Sequence, residues 1–364
     1  MTAFAAALAE RALRPLDEVR AVGLRALAAG GPSARALLRR RSTRVPVLLA
    51  AHALGALVLA VLAPPFLLVA GPLTLGVPHL AADVRHLVLR RAWPRWWLAA
   101  TILFAGALLA ARLLVVTGTA GAPSPTFEQG LGASWIVFAA ATGAFFNPRR
   151  RRDWFAGAPA VGATLAIAAL ALLRPRAFSI ALVHGHNLVA IALWLWLFRR
   201  ANRLVWLPVA LVVAAAAVLA SGVLIPFTVR HGALVFADLH LFAAADWLAP
   251  GLPDATAVAL AMSFAFLQSA HYAIWLAGVP ASDRPGEGGR SLRAAARDFA
   301  RDFRPAGVAA VVLLGAAVAG LGLFHPGEAR RLVLSLGMFH AWLELAVVAH
   351  VLAAGSFAPR RPRA

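Results

Sequence analysis

Long apolar runs separated by short polar segments are the dominant pattern between residues 45 and 355. Each run is close to the roughly 20 residues that a helix needs to cross a hydrocarbon core about 30 Å thick. The pattern predicts an all-α, polytopic integral membrane bundle with about ten transmembrane helices. The predicted spans are residues 46–62, 64–88, 96–117, 131–147, 154–173, 178–198, 204–225, 254–278, 306–324 and 332–354.

Four segments outside this bundle pattern have features of their own. Residues 1–44 contain nine arginines, and we expect an amphipathic cytoplasmic segment on the membrane surface and not a signal peptide. Residues 226–253 are too long and apolar for a plain loop, so we expect an outer interfacial or re-entrant segment that covers the bundle. Residues 279–304, with Ser291 as a helix N-cap, predict a cytoplasmic amphipathic helix, and residues 356–364 form a basic tail.

Composition and charge agree with a membrane protein. Hydrophobic residues make up 61% of the chain, compared with roughly 45–50% in soluble domains. The net charge of +20 comes from arginines that lie between the apolar runs and not in a basic patch, so we do not expect a nucleic-acid partner. Arginine clusters occupy alternate connections, which predicts a multi-pass protein of a bacterial cytoplasmic membrane with both termini inside.

Two missing residue types exclude several kinds of chemistry. All 35 basic residues are arginine, and without lysine the chain has no Schiff-base nucleophile or retinal attachment site. The chain also has no cysteine, which excludes disulfides, iron–sulfur clusters and thiolate metal sites. A bound metal would therefore need histidine, carboxylate or backbone ligands.

Polar residues are distributed unevenly over the predicted spans. Only Asp83 and Glu344 of the 15 acidic residues lie in the interior of a span, whereas eight of the 11 histidines do. A charged group at the bilayer centre costs about 2.5–3.5 kcal/mol on insertion scales, so each one is a candidate functional residue. The eight histidines are His52, His79, His86, His184, His186, His271, His340 and His350.

Spacing brings several of these residues onto shared helix faces. His79, Asp83 and His86 are spaced i, i+4, i+7, so an α-helix places them on one face, where Asp83 is expected to accept the ring N–H of His79. His340 and Glu344 repeat the i, i+4 spacing. Other polar neighbours are Gln268, His271 and Tyr272 in the eighth span, and His184 and His186 in the sequence VHGHN, where Gly185 allows the helix to deform.

The spans that carry these histidines run in the same direction in the predicted topology. Four helices therefore present histidines to one point in the membrane. Imidazole with carboxylate suits iron, zinc or copper, and the absence of thiolate disfavours copper(I). We predict His79, His186, His271 and His340 as metal ligands, with Asp83, Glu344 and Tyr272 as catalytic groups. Additional candidates are His86, His184, His52, His350 and Gln268. The alternative is that an intramembrane histidine only hydrogen-bonds a neighbouring helix, which applies first to His52 and His350 near span ends.

Residues 76–83, G-V-P-H-L-A-A-D, carry a resemblance to a known family. They resemble the G-x-P-H-x-x-x-D signature of the Brp/Blh family, multi-span membrane proteins that cleave β-carotene to retinal with a histidine-bound non-haem iron. The resemblance covers Gly76, Pro78, His79 and Asp83 and implies that His79 binds iron. Leu80 stands where that family usually has glycine, and the chain contains no H-x-x-x-H pair.

These observations lead to one main functional hypothesis and three alternatives. The main hypothesis is a membrane oxygenase or oxidase in which Fe²⁺ and O₂ act on a lipophilic substrate, carotenoid-like or an acyl chain, that enters from the lipid bilayer. Zn²⁺ is an alternative metal. The same residues would also serve a proton-coupled transporter, or two histidines would bind haem b. The fourth reading is a structural role.

Overall fold

The computed structural model describes residues 3–119, 122–145, 157–198, 202–282 and 291–356. Helices make up nearly all of these residues, beside one short β-hairpin. The helices are α1 Ala3–Ala28, α2 Pro32–Arg39, α3 Arg41–Leu62, α4 Pro64–Leu89, α5 Arg95–Val116, α6 Pro125–Phe145, α7 Ala158–Leu173, α8 Pro175–Gly185, α9 Asn187–Phe198, α10 Arg203–Ala220, α11 Ile225–His231, α12 Leu241–Leu248, α13 Asp254–Ser282, α14 Leu292–Phe324 and α15 Pro326–Ala354, and the hairpin strands are β1 Val235–Phe236 and β2 Leu239–His240.

Proline punctuates the helices because it lacks a backbone N–H and fixes φ near the helical value, which suits the first turn. Pro64, Pro125, Pro175 and Pro326 each begin a helix. Runs rich in alanine and leucine between these prolines favour helix because those residues have the highest helix propensity. The all-α prediction is confirmed.

The structure does not support the predicted count of ten spans. By length and composition, seven of the described helices are able to cross a membrane, or eight if the bent pair α8 and α9 forms one span. Helix α7 has only 16 residues, about 24 Å at 1.5 Å per residue. Helix α6 starts at Pro125 and not at 131, and its first turns carry the polar residues Glu128 and Gln129.

The surface of the bundle is consistent with a lipid environment. Large apolar side chains on different helices are strongly exposed, among them Ile102 at 72%, Leu173 at 76% and Leu313 at 69%. A soluble monomer rarely shows apolar patches of this extent. The chain is therefore an integral membrane protein built as a helical bundle.

One end of the bundle, the arginine end, joins α4 to α14. Arg85 Nε and Arg90 Nε lie 2.6 and 2.8 Å from Asp302 Oδ2. Helix α14 breaks at Arg304, whose φ of 59° is outside the helical region, immediately before Pro305. The break separates a polar helix, with Ser291 as the predicted N-cap, from an apolar one.

The opposite end, the hairpin end, is covered by residues 225–248. The hairpin packs on the start of α4, where the Phe236 and Phe66 rings meet edge to face at 5.1 Å. The backbone N–H of Gly327 donates to Asp238 Oδ1 at 2.8 Å and so ties the hairpin to the start of α15. Helix α12 then lies beneath the hairpin against α13.

Several predictions concern residues that the structure does not describe. They are the arginine cluster 149–152, the middle of segment 279–304, the basic tail beyond residue 356, and the adjoining ends of the predicted spans 131–147 and 154–173.

Candidate metal centre

Four parts of the bundle supply the polar residues of its interior. Helix α4 carries His79, the junction of α8 and α9 carries His186, α13 carries His271, and α15 carries His340. Short π-helical segments interrupt α4 and α13 beside these residues, at Pro72–Gly76, Val84–Leu89 and Ile274–Gly278. Such π-segments occur frequently at functional sites because they re-aim side chains.

The four histidines form one compact cluster. His79 is only 1% exposed. Its Nε2 lies 3.1 Å from His271 Nε2. The separations between ring centroids are 4.6 Å for His79 and His271, 5.0 Å for His79 and His340, 5.3 Å for His186 and His271, and 5.2 Å for His186 and His340.

Backbone carbonyls orient three of the four rings through Nδ1. His186 Nδ1 lies 3.0 Å from Leu182 O, His271 Nδ1 lies 3.4 Å from Asn187 O, and His340 Nδ1 contacts Gly337 O. A carbonyl accepts only from an N–H, so these contacts place the proton of each neutral ring on Nδ1. The lone pair of each ring is then on Nε2, the atom through which it is able to bind a metal.

Two buried carboxylates adjoin the imidazoles. Asp83 Oδ2 lies 3.3 Å from His79 Nε2, and Glu344 Oε1 lies 3.5 Å from His271 Nε2. In the described part of the chain, the carboxylate oxygens of Asp83 have no other hydrogen-bond partner, and the Trp275 indole lies near Glu344. Asp83 was expected to hold the far nitrogen of His79, but it approaches Nε2, on the same side as the other candidate ligands.

The donor set fits a metal ion. Ligand atoms of His79, His271 and His340 all lie within 4.8 Å of one another, and so do those of His79, Asp83 and Glu344. Two nitrogens bound at right angles to one ion at about 2.1 Å are about 3 Å apart, close to the observed separation of the Nε2 atoms of His79 and His271. A cation between these atoms would also balance the buried carboxylates.

A cavity of about 130 Å³ opens beside the cluster. His79, His186 and His340 form part of its wall, together with Tyr272, whose ring centroid is 5.0 Å from that of His79. Most of the remaining wall is apolar, with Leu80, Val183, Leu248, Phe264, Val333 and Met338. His79, His186 and His340 therefore face a largely apolar space.

Two of the additional candidates lie close to this cluster. Gln268 lines the cavity, and its Oε1 is buried without a hydrogen-bond partner in the described part of the chain. His184 is adjacent in sequence, but its ring packs edge to face on Phe264 at 5.5 Å. Helix geometry turns His184 away from His186, so it is not brought into the histidine cluster.

Three other candidate histidines lie elsewhere. His86 lines a separate small cavity with Arg90 and Trp275, because the π-helical segment Val84–Leu89 changes the helical phase that the i, i+7 spacing assumed. His52 is exposed and contacts Ser269 at 3.1 Å. His350 Nδ1 lies 3.2 Å from Ala139 O. The alternative of helix-to-helix hydrogen bonding describes these last two histidines.

The sequence-based reasoning missed a second polar group on the cavity. Arg112 lies on the cavity wall and its Nη2 is 2.7 Å from Glu128 Oε2. The neighbouring Gln129 donates from Nε2 to Ser179 Oγ at 2.8 Å, and Ser179 is also on the wall. These residues are too far apart in sequence for their spacing to predict that they meet. The one feature that could have drawn attention to them is Arg112 itself, an arginine inside an otherwise apolar predicted span.

Comparison with known proteins finds no matching family model, no matching curated protein and no matching solved structure. Function is therefore argued from the site itself.

Proposed function

We propose that the chain is an integral membrane non-haem iron oxygenase that acts on a lipophilic substrate, carotenoid-like or an acyl chain. The observation that carries this proposal is the convergence of His79, His186, His271 and His340 beside an apolar cavity. Imidazole and carboxylate ligands suit ferrous iron, and Zn²⁺ is the alternative ion for the same donors. The bacterial cytoplasmic membrane is the proposed location.

Iron, when bound, would supply the O₂ chemistry that amino-acid side chains do not perform on hydrocarbon. His79, His271 and His340, whose ligand atoms lie within 4.8 Å of one another, would hold it. His186, whose ring lies beside those of His271 and His340, would be a fourth ligand, with Asp83 and Glu344 as ligands or as partners of ligands. The backbone contacts at Nδ1 fix the orientation of the His186, His271 and His340 rings without any metal. Such pre-orientation reduces the entropy that binding costs.

The cavity residues would position the substrate. Apolar walls exclude water and hold a hydrocarbon chain against His79 and His340. Tyr272 would donate its hydroxyl proton in a hydrogen bond to the oxygen that forms on the substrate. In a dioxygenase reaction one O₂ and one C=C bond give two carbonyl groups, so both oxygen atoms enter the products and no further reductant is required.

The experiment is oxygen uptake by iron-loaded protein in liposomes that contain β-carotene, with product analysis by chromatography. Wild-type protein is expected to consume one O₂ for each double bond cleaved. His271→Ala is expected to be inactive, whereas His52→Ala, which alters a histidine outside the cluster, is expected to keep full activity. Equal activity in all three proteins, or none in the wild type on polyene or acyl lipids, would contradict the proposal.

One observation favours a transporter as a second candidate function. Helices α8 and α9 are bent by 44° at His186, and discontinuous helices at a polar site are typical of secondary transporters. Proton-coupled solute uptake into liposomes, abolished by His186→Ala, would support this candidate. A haem between His79 and His271 is less compatible, because a porphyrin plane does not fit between ring nitrogens 3.1 Å apart.

A further inference from the structure

We propose that the cavity beside the histidine cluster has a separate subsite for a neutral polar end of its ligand, a hydroxyl or a carbonyl. Arg112 and Ser179 form this subsite on the cavity wall, and Glu128 and Gln129 support them from α6. The position of the reacting bond rests on the proposed function, whereas binding of the polar end at this subsite does not. A lipid with a neutral polar end is therefore expected to bind more tightly than a plain hydrocarbon of the same length.

The hydrogen bonds of Ser179 leave a donor for the ligand. Its Oγ accepts from Gln129 Nε2 at 2.8 Å, so the hydroxyl proton points elsewhere. That proton has no acceptor among the described residues. Ser179 is partly buried, and an oxygen on a ligand in the cavity would supply the acceptor that its hydroxyl lacks.

Arg112 provides a second donor beside the same space. Its Nη2 pairs with Glu128 Oε2, but its Nε is buried without a hydrogen-bond partner within the described ranges. The side chain of Glu128 is only 7% exposed. The side chain of Arg112 is 28% exposed and lines the cavity together with Ser179, so the subsite offers guanidinium N–H groups as further donors.

The charge balance selects a neutral ligand group. One guanidinium and one carboxylate leave the subsite with no net charge, and burying a further carboxylate there would leave an uncompensated anion. An alcohol or a carbonyl accepts from both Ser179 and Arg112 without this cost. The subsite therefore discriminates against fatty acids and other carboxylates.

The distance to the histidine cluster locates the reacting bond. Ser179 and His186 are seven positions apart on the bent pair α8 and α9, about 10 Å at 1.5 Å per residue. An apolar wall that includes Val183 and Phe264 lies on the same cavity. A ligand anchored at the subsite would present a bond about 10 Å from its polar end to the histidines.

Binding of three polyenes of equal length tests the subsite: retinol, retinoic acid and the hydrocarbon that lacks the terminal oxygen. The protein is studied in lipid nanodiscs, with empty nanodiscs to correct for partitioning, and binding is read from quenching of tryptophan fluorescence. Wild-type protein is expected to bind retinol about three- to tenfold more tightly than the other two ligands, as expected for one or two net hydrogen bonds.

Two variants and one control decide the outcome. Ser179→Ala should reduce retinol affinity about three- to tenfold, whereas Ser335→Ala, a serine on the same cavity wall outside the subsite, should leave it unchanged. Glu128→Gln leaves Arg112 with a neutral partner and should reverse the preference so that retinoic acid binds more tightly than retinol. Unchanged ligand order in both subsite variants, or an equal effect of Ser335→Ala, would overturn the proposal.

Failure of the oxygenase proposal and failure of the subsite proposal give different results. Elemental analysis of the same samples reports iron independently of ligand binding. Protein without iron that keeps the retinol preference would disprove the oxygenase and support the subsite. Protein with iron that shows no preference among the three polyenes would disprove the subsite alone.

Discussion

At the scale of single residues, Asp83 and Glu344 are the most demanding side chains in the bundle. Both are at most 1% exposed and lie against the imidazoles of His79 and His271. An ionised carboxylate without compensation costs at least several kcal/mol when buried. A cation bound by the neighbouring imidazoles would compensate for both groups, so the carboxylates and the histidines are expected to act together.

Asp83→Asn is expected to weaken iron binding by about 10- to 100-fold, the usual effect of removing a group that tunes a metal site. The amide keeps the volume of Asp83 but loses its charge. Competition with a calibrated ferrous chelator measures the change. Glu328→Gln, which alters a carboxylate paired with Arg331 on the surface, should have no effect; equal iron affinity in Asp83→Asn would show that Asp83 is not part of the site.

Tyr272→Phe separates chemistry from metal binding. Tyr272 lies on the cavity wall beside His79 and carries the one tyrosine hydroxyl of the chain. We expect unchanged iron content and a kcat about 100-fold lower, the size of effect that a positioned proton donor gives. Steady-state oxygen uptake measures kcat, and a variant with wild-type turnover would remove Tyr272 from the mechanism.

Local spacing predicted part of this residue pattern. The i, i+4 relation of His79 and Asp83 and that of His340 and Glu344 follow from helix periodicity alone. Pairing of Arg112 with Glu128 joins different helices and left no local trace. His86 lines a separate cavity, beside a π-helical turn that interrupts the α-helical periodicity and has no recognisable sequence signal.

At the scale of elements, Gly132 of α6 lets α15, the helix that carries His340 and Glu344, pack closely against α6. A Cβ at Gly132 of α6 would lie 2.1 Å from Cε2 of Trp342 on α15. Trp342 lies between His340 and Glu344 in sequence and stacks on Phe178 with ring centroids 5.6 Å apart. The position of α15 against α6 therefore depends on the absence of a side chain at residue 132.

Gly132→Ala is expected to destabilise the protein by about 1–3 kcal/mol, the usual cost of overpacking, and to lower the iron content. Thermal unfolding in detergent and elemental analysis measure the two effects. Gly106→Ala is the matched control, because a Cβ there meets nothing within 4 Å. A Tm of Gly132→Ala at or above that of Gly106→Ala would contradict this packing.

The length of the apolar runs predicted most of the helices but not the number of membrane spans. Seven predicted spans correspond to candidate spans, and an eighth corresponds to the bent pair α8 and α9. The runs 131–147 and 154–173 were counted as spans on their apolar content, but α6 has a polar first part and α7 is short. Run length alone does not distinguish a full span from a helix packed within the bundle.

At the scale of the whole molecule, the amino-terminal helices are tied to the bundle through α14. Asp17 of α1 accepts hydrogen bonds from the backbone N–H groups of Leu292 and Arg293, at 2.6 and 3.3 Å. Burial raises the pKa of Asp17, but these donors and the Arg293 guanidinium outweigh burial, so the net pKa lies below its ordinary value of 3.8. The contact is thus strongest with the ionised carboxylate.

The sign of this shift predicts a pH dependence. Because the pKa of Asp17 is lower in the folded protein, the contact stabilises the fold at pH values above the ordinary pKa of 3.8. This contribution to stability is lost as the pH falls through the folded-state pKa. Asp17→Asn should therefore accelerate hydrogen exchange at the start of α14 at pH 7, with little difference from wild type at the acid end. Glu18 lies beside Asp17 on the surface and pairs with Arg14, so Glu18→Gln should exchange like wild type. Wild-type exchange in Asp17→Asn at pH 7 would contradict the contact between α1 and α14.

The measurement that tests the central proposal most directly is metal content of the purified protein, by elemental analysis with an ultraviolet–visible spectrum, for wild type, His79→Ala, His271→Ala and His52→Ala. We predict one or two irons per chain in the wild type and in His52→Ala, no Soret band, and loss of iron in the other two variants. Full metal content in both His79→Ala and His271→Ala, or a Soret band, would contradict a non-haem iron centre at these histidines.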